Sequence, residues 1–487
     1  MSPEEGVPCV RTSVPRRSPV VGLSIFCFFA GLVVPQDNGS TERVEADITA
    51  STDQRQAPTP PAGAVAAPTA TRKPTAVVTP ADIDIDLTSF DATPPVASWT
   101  KPLIGVTYAD PVYRTQLRRV TSADDTRFNR NTYSRRQAEN ADGTLFMTYH
   151  GDAEYRVHDR VTLALVRTLD IHPDAEPQWH PTDADLVRSV AGGNASSGAL
   201  DWFETSVSTG RTSIIADLTI RITARFPSAS YMKDQAEGSP SADGNRMAWT
   251  VFDGAENPIG IVSYDLATDQ ILGTFDLSDA PADAGPLDWV SMSPTGRYVM
   301  AGHWNATLVF NADLTNPRRV NNKGDHSDIA LSAAGTDSYV YIDFSADRDA
   351  GWLVAVDLTT LERTRLVDLY NDANTSIHVS GKGYDQPGWV VVSTYNCKDA
   401  GAWSCEKIML VDISGTGRVY DLAHTYNCGD DYWTETHAVV NRSFTRVYFN
   451  SDGGSCGIDA EVYELTLPHL GPSTRLLPSE SVSSNDD

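Results

Sequence analysis

Short stretches of alternating apolar and polar residues, separated by turns, fill the chain from about residue 100 onward. In the first recurring pattern, a turn precedes an apolar strand: NADGTLFMTY (Asn140), HPTDADLVRSV (His180), SADGNRMAWTV (Ser241), SPTGRYVMAG (Ser293), SAAGTDSYVYI (Ser332), GYDQPGWVVVS (Gly383) and NRSFTRVYFNS (Asn441). In the second, a strand runs into a polar turn and another strand, as in VSYDLATDQILGTF and LVAVDLTTLERTRL. A period of two predicts strands with a buried face, and Asp-Gly and its relatives predict tight turns.

The two patterns alternate strictly, and each occurs seven times. Their spacing of roughly 40–60 residues is typical of the blades of a β-propeller, in which each small sheet buries its face against the next. No long window has helical periodicity. The sequence therefore predicts an all-β fold, a seven-bladed β-propeller over residues 99–476.

The two ends of the chain differ from this repeat region. Arg11, Arg16 and Arg17 precede Val20–Val34, an apolar run of 15 residues, which has the length of a signal-peptide core and is shorter than the ~20 residues of a membrane span. We expect residues 1–34 to be a signal peptide or an uncleaved signal anchor that tethers the protein to a membrane. Residues 35–98, rich in Ala, Thr and Pro, predict a disordered stalk, and 477–487 a disordered acidic tail.

Charge and cysteine content restrict the partners and the compartment. Lys and Arg total 38 against 64 Asp and Glu, a formal charge of −26, which argues against nucleic acid or an anionic membrane surface as partner. Cys397, Cys405, Cys428 and Cys456 form an even cluster, which favours two disulfides, with Cys397–Cys405 and Cys428–Cys456 as the suggested pairs. A thiolate zinc site is the alternative, but C-x-x-C spacing is missing. We expect a secreted, periplasmic or cell-surface monomer.

Polar residues recur at one position of the repeat. Counting back four from the residue that starts each turn gives Arg136, Glu176, Glu237, Trp289, Asp328 and His437. In a propeller this position lies near the central channel, so these side chains should converge. Nearby positions add His326, His378 and Glu435, which places three histidines in three consecutive blades. They are either hydrogen-bonded structural residues or ligands, and imidazole with carboxylate suits Mn, Zn, Fe or Ca.

A second set of candidates is basic or aromatic. The stretch RFNRNTYSRRQAEN carries Arg135 and Arg136, preceded by Arg127 and Arg130, in an otherwise acidic protein. Arginine binds carboxylates through its planar fork, so this stretch predicts either an anchor for a uronate or sulfate group or internal ion pairs. Tyr231 with Arg225 forms another candidate group. Trp433 is either a platform on which a sugar stacks or a packing residue between blades.

Two parts of the sequence resemble known propeller families. SADGNRMAW followed by SYDLATDQ is similar to the repeats of TolB-type propellers, and THAVVNRSFTRVYFNSDGG resembles the last-blade motif of oligogalacturonate lyase and related propeller polysaccharide lyases, including ulvan lyases. The resemblance implies a divalent metal (Mn, Zn or Ca) held by His326, Glu435 and His437, with Glu435 where the family tends to have His. It implies a base among Arg136, Tyr231 and His378, and substrate binding by Arg135, Arg225 and Trp433.

The implied activity is that of an exported lyase that cleaves a uronic-acid-containing polysaccharide or oligosaccharide, ulvan- or pectin-like, by β-elimination. In this reaction a base removes the C5 proton, which is acidic only when a cation neutralises the adjacent carboxylate. A non-catalytic propeller that binds a glycan or a protein at the cell surface is the main alternative. A glycosidase that uses two of Glu176, Glu237 and Asp328 is a third.

Overall fold

The computed structural model describes residues 99–123, 128–192, 200–234, 238–322, 324–345, 349–369, 375–397, 402–428, 432–456 and 459–467. The predicted targeting segment, stalk and acidic tail lie outside these ranges. Among the described residues, no helix is long and apolar enough to cross a membrane.

Strands are the main regular secondary structure of the described residues. The first ten strands are β1 Thr107–Ala109, β2 Gln116–Arg119, β3 Asn129–Arg130, β4 Leu145–His150, β5 Glu154–Asp159, β6 Leu165–Thr168, β7 Gln178–Trp179, β8 Leu186–Val190, β9 Trp202–Ser206 and β10 Thr212–Ala216. The helix α1 follows at Thr219–Arg225, and one-turn 3₁₀ helices lie at Leu277–Asp279 and Tyr432–Thr434.

The remaining strands follow helix α1. They are β11 Ala229–Lys233, β12 Arg246–Asp253, β13 Pro258–Asp265, β14 Gln270–Asp276, β15 Leu287–Met292, β16 Tyr298–His303, β17 Ala306–Asn311, β18 Arg318–Asn321, β19 Gly324–Leu331, β20 Asp337–Asp343, β21 Trp352–Asp357, β22 Arg363–Asp368, β23 Ser376–Ser380, β24 Trp389–Tyr395, β25 Lys407–Asp412, β26 Val419–His424, β27 Val439–Val440, β28 Arg446–Ser451 and β29 Glu461–Thr466.

Five of the sheets in the described ranges are separate four-stranded antiparallel meanders: β7–β10, β11–β14, β15–β18, β19–β22 and β23–β26. Nine further strands form a composite sheet, in which the meander β3–β6 meets the closing group (β27, β28, β29, β2 and β1) through one parallel pair, Glu461 with Asn129. Repeated four-stranded sheets confirm the predicted all-β propeller architecture. The number of seven blades stays a prediction.

The closing group joins the two ends of the repeat region. Strand β29 pairs with β28 on one side and, on the other, with β2, which precedes the first meander in the chain. Strand β2, from the start of the repeat region, therefore covers an edge of β29 that would otherwise be exposed.

Apolar side chains fill the space between neighbouring sheets, which explains why the middle strands are apolar on both faces. One core cluster joins Val340 and Leu353 of the β19–β22 sheet to Val379, Val392 and Met409 of the β23–β26 sheet. Each fully buried aliphatic side chain of this kind contributes about 1.5–3 kcal/mol. The β-branched and aromatic residues of these strands are those that pack well on a pleated surface.

The residue that starts each repeated turn has a structural task. Asn441 Oδ1 accepts hydrogen bonds from the backbone N–H groups of Thr445 and Arg446, each 2.9 Å long. Ser293 Oγ similarly accepts from Tyr298 N at 3.1 Å. In that turn Gly296 has φ +69°, a conformation that glycine adopts at little cost. The repeated Ser or Asn therefore closes the turn between the first two strands of a sheet.

The first strands of the sheets start at the same end as the connections between second and third strands. In the β19–β22 sheet, Gly324 at the start of β19 pairs with Asp343 at the end of β20. We call this end the loop face; its connections include residues 151–153, 254–257, 304–305, 425–428, 432–438, 452–456 and 459–460. The candidate site lies toward this face.

Candidate metal centre and active site

Three histidines and a glutamate converge from three neighbouring strand groups. His326 lies in β19, His378 in β23, and Glu435 and His437 in the connection that leads into β27. We call these four residues the histidine cluster. The sequence predicted their convergence from their common position in the repeat, and the structure places them together.

The Glu435 carboxylate lies between two imidazoles. Its Oε2 is 3.1 Å from His437 Nε2 and 3.5 Å from His378 Nε2. One ligand atom from each of these three residues lies within 4.8 Å of the other two. The ring of His378 is 4.3 Å from that of His437 and 4.8 Å from that of His326, both in edge-to-face arrangement.

The histidines at the centre of the cluster are neutral. Burial lowers the pKa of His437 to about 4, although its hydrogen bond with Glu435 acts in the opposite direction. Burial also lowers the pKa of His378 well below its usual value, and the nearby His437 and His326 act in the same direction. Neutral imidazoles are the form that binds metal ions.

Backbone conformation turns two of these side chains into the cluster. His326 has φ +49° and lies where the register of β19 against β20 shifts, between Asp325 and Asp328. His437 has φ +42°. Bulges redirect side chains, and positive φ is uncommon for residues other than Gly, Asn and Asp. Local strain of this kind concentrates at functional sites.

Residues 130–138, which we call the channel segment, cross the middle of the fold beneath the cluster. Their hydrogen-bond partners come from several sheets: Asn131 pairs with Asn450 and His437, Arg135 with Ser327 and Ser239, Arg136 with Asp234, Gln137 with Lys382, and Ala138 with Trp179. With Trp289, which lies under Arg135 at 4.5 Å, the partners span all five separate sheets and the closing group. The segment therefore fills the position at which a propeller has its central channel.

Three arginines of the arginine-rich stretch lie in the channel segment: Arg130, Arg135 and Arg136. Arg136 is buried, with Nη2 3.3 Å from Asp234 Oδ1 and 3.9 Å from Glu176 Oε1. Burial alone would lower the pKa of Arg136, but these two carboxylates raise it. Arg135 donates to Ser327 Oγ at 3.0 Å. The arginine that touches the histidine cluster is Arg130, whose Nη1 is 3.0 Å from His437 Nδ1.

Two of the other predicted site residues, Tyr231 and Arg225, contact residues outside the histidine cluster. Tyr231 stacks on Phe252 at 4.8 Å, and burial raises its pKa to about 12. Arg225, near the end of helix α1, lies 4.0 Å from Asp276 and over the ring of Phe226. Trp433 lies in the 3₁₀ helix just before Glu435. The catalytic and substrate-binding assignments stay predictions for Arg136, Tyr231, His378, Arg135, Arg225 and Trp433.

Several residues at the cluster were not among the predicted site residues. The ring of Tyr133 lies 4.9 Å from that of His437 and 5.6 Å from that of His378, and the ring of Tyr395 stacks on His378 at 4.9 Å. Asn450 contacts His437 from β28. Tyr133 belongs to the arginine-rich stretch, so the unusual composition of that stretch was a usable signal. Tyr395 and Asn450 end ordinary apolar strands and gave none.

The carboxylates considered for a glycosidase are held in internal pairs. Asp328 Oδ1 lies 2.8 Å from Lys382 Nζ, and its Oδ2 accepts a 2.7 Å bond from Gly381 N. Glu176 Oε2 accepts from the backbone N–H of Asp234 at 2.6 Å. Glu237 lies outside the described residues. The carboxylates of Asp328 and Glu176 are therefore bound by structural partners.

Both disulfides suggested by the sequence are present. Cys397 pairs with Cys405 between β24 and β25, and Cys428 pairs with Cys456. The second disulfide ties the connection that carries Glu435 to the loop between β28 and β29. Both lie at the loop face, and the zinc-thiolate alternative is therefore wrong.

The residues of the cluster fit a divalent metal. His378 is fully buried, yet neither of its ring nitrogens has a hydrogen-bond partner among the described residues. A buried imidazole without partners is costly unless something else satisfies it. Imidazole nitrogens with one carboxylate form a donor set typical of Zn, Mn or Fe sites.

Fold and site together define a β-propeller with a buried histidine–carboxylate cluster at its centre. Two similar solved structures are those of oligogalacturonate lyases. One, from Vibrio parahaemolyticus, has a TM-score of 0.52 and 13% identity, over 75% of this chain and 97% of that one. The other, an oligogalacturonate lyase in complex with manganese, has a TM-score of 0.51 and 16% identity, over 75% and 96%.

The sequence comparisons found no such relative. No family model matches the chain, and no curated protein is similar to it in sequence. The structural likeness confirms the predicted resemblance to oligogalacturonate lyase at the level of the fold.

Proposed function

We propose that this protein is an exported lyase that cleaves uronate-containing oligosaccharides or polysaccharides, pectin- or ulvan-like, by β-elimination with a divalent metal. The observation that carries the proposal is the cluster of His378, Glu435 and His437, whose ligand atoms lie within 4.8 Å of one another. It lies in a fold shared with two oligogalacturonate lyase structures, one of them in complex with manganese. Export is supported by the two disulfides.

The metal would be held within the histidine cluster. When bound, it would supply positive charge that neutralises the substrate carboxylate and so acidifies the C5 proton. Arg130, 3.0 Å from His437, adds a fixed cation beside the cluster. An overall charge of −26 then does not prevent binding of an acidic sugar, because the site itself is cationic.

Proton removal requires an acceptor close to the bound uronate. Arg136 is poorly suited, because its pKa is raised and it pairs with Asp234. Tyr231 is poorly suited too, because its phenol has a pKa of about 12 and stacks away from the cluster. His378, the third candidate, belongs to the cluster that would hold the metal, so we assign proton transfer to Tyr133, whose ring lies beside both His378 and His437. As the phenolate, Tyr133 takes the C5 proton, and the C5 electron pair forms the C4–C5 double bond as the C4–O4 bond breaks. The phenol then returns the proton to the leaving O4.

The test is ultraviolet absorbance of the purified protein incubated with a panel of uronic-acid glycans of different length. We expect absorbance to rise with at least one glycan, because the unsaturated uronate absorbs. We expect the rise to stop with a chelator and to return when Mn²⁺ or Zn²⁺ is added back. Flat traces on every glycan, with metal present, would overturn the proposal.

A non-catalytic binding propeller is the second candidate. The observation in its favour is that His437 has protein partners at both ring nitrogens, Arg130 and Glu435, as a structural histidine would. This alternative predicts binding of a glycan or protein without turnover, and no stoichiometric metal in the purified protein.

A further inference from the structure

The hydrogen bonds around His437 determine which of its ring nitrogens carries the proton. Arg130 Nη1 lies 3.0 Å from His437 Nδ1. A guanidinium group can only donate hydrogen bonds, so Nδ1 must accept. Arg130 is held in place under the rings of Phe128, Tyr149 and Tyr432, at 5.4–5.8 Å.

A second donor points to the same nitrogen. Asn450 Nδ2 lies 3.5 Å from His437 Nδ1. The orientation of this amide is set by backbone groups, because its Oδ1 accepts from Asn131 N at 2.9 Å and its Nδ2 donates to Glu435 O at 3.1 Å. The amide therefore cannot turn its oxygen toward His437 without losing both bonds.

With Nδ1 as acceptor, the proton of the neutral imidazole is on Nε2. That nitrogen lies 3.1 Å from Glu435 Oε2, so it donates to the carboxylate. A histidine that binds a metal usually has the reverse arrangement, with its free N–H donated to a carboxylate or carbonyl. With Arg130 in place, coordination through Nε2 would require an imidazolate.

We propose that His437 is a positioning residue, which orients the Glu435 carboxylate through its Nε2–H group, and that the metal is held by His326, His378 and Glu435. This inference rests on the metal-dependent part of the proposed function. His378 supports it, since in the part of the chain that the structure describes its two nitrogens have no hydrogen-bond partner, and Nε2 faces the same carboxylate oxygen at 3.5 Å. His326 lies next to it, ring to ring at 4.8 Å.

The first experiment is calorimetric titration of Mn²⁺ and of Zn²⁺ into protein freed of metal by chelator. His378→Gln and Glu435→Gln should each weaken binding at least 100-fold, because each removes a ligand. His437→Gln should weaken binding less than about 10-fold, since the glutamine amide can donate where Nε2–H stood. His437→Ala lacks a donor, so it should weaken metal binding roughly 10–100-fold. This is the loss expected when a residue that orients a metal ligand is removed.

The matched control is His158→Gln. His158 is also a buried histidine, in β5, where it stacks on Phe146 and contacts Thr148. Its replacement should leave metal affinity unchanged. Equal losses for His437→Gln and His378→Gln would overturn the inference, as would failure of the unaltered protein to bind either metal.

The second experiment reads the proton directly by NMR of ¹⁵N-histidine-labelled protein, with and without Zn²⁺. The His437 signals are those missing from His437→Gln. We expect a protonated Nε2 and an unprotonated Nδ1 in both states. A zinc-dependent loss of the Nε2 proton would show His437 to be a ligand. Neither experiment needs turnover, so a protein that binds metal but cleaves no glycan would contradict the proposed function and leave this inference standing.

Discussion

The ion pair between Lys382 and Asp328 should be one of the most sensitive points in the fold. Both side chains are almost completely buried, and their charged atoms are 2.8 Å apart. Burial lowers the pKa of Lys382, but the Asp328 carboxylate outweighs this effect and the net pKa is raised. The pair connects the residues that follow His326 in β19 with those that follow His378 in β23.

Replacing Lys382 by Met leaves the Asp328 carboxylate buried with two backbone N–H partners in the described structure, those of Ile329 and Gly381. Removing one member of a buried pair costs about 3–5 kcal/mol, whereas replacing both members often costs little. Unfolding entropy of ~2.1 cal/mol/K per residue over roughly 370 residues gives ~0.8 kcal/mol/K, so the unfolding temperature should fall by about 4–6 °C. The double variant Asp328→Asn, Lys382→Met should recover much of this loss.

Thermal unfolding followed by circular dichroism at pH 7 measures these shifts. The control is Arg221→Met, which removes the partly exposed pair with Asp269 at 2.9 Å and should lower the unfolding temperature far less. If Lys382→Met were as mild as this control, or if the double variant were as unstable as Lys382→Met, the buried-charge reasoning would be refuted.

Two further predictions concern stability at the loop face. Burial, together with the charge of Asp452, raises the pKa of Glu406 to about 7. Folding therefore favours the protonated acid, a contribution present below pH 4.5 and lost as pH rises through 7. Glu406→Gln should unfold at a higher temperature than the unaltered protein at pH 8 and at the same temperature at pH 4.5. The same difference in unfolding temperature at both pH values would contradict this reasoning. Removing Cys428–Cys456, separated by 28 residues, should cost about 3.6 kcal/mol in denaturant unfolding. Removing Cys397–Cys405, separated by 8, should cost about 2.5 kcal/mol, and the reverse order would contradict the loop-entropy argument.

The fold was predictable because two separate sequence patterns mark the same repeat. The turn residues show this most clearly: Ser293 and Asn441 recur because their side chains close a turn by accepting backbone N–H groups. The convergence of His326, His378 and His437 followed from their shared position in the repeat. The turn residues and the spacing of the repeat were therefore enough to predict most of the architecture.

The partners of those histidines were not predictable in the same way. Arg130 and Tyr133 reach the cluster because residues 130–138 leave β3 and cross the middle of the fold. A period-based prediction cannot foresee this path, since it breaks the repeat. Asn450 lies in an apolar strand, and only the three-dimensional pairing of β28 with the His437 connection gives its amide a role.

The measurement that tests the central claim most directly is lyase activity of His378→Gln beside the unaltered protein and the His158→Gln control, with Mn²⁺ present. Formation of unsaturated uronate, followed by ultraviolet absorbance, should be lost at least 100-fold in His378→Gln and kept in the control, with the circular dichroism of all three alike. An active His378→Gln would contradict the account, because this buried imidazole beside the Glu435 carboxylate would then have no part in the chemistry.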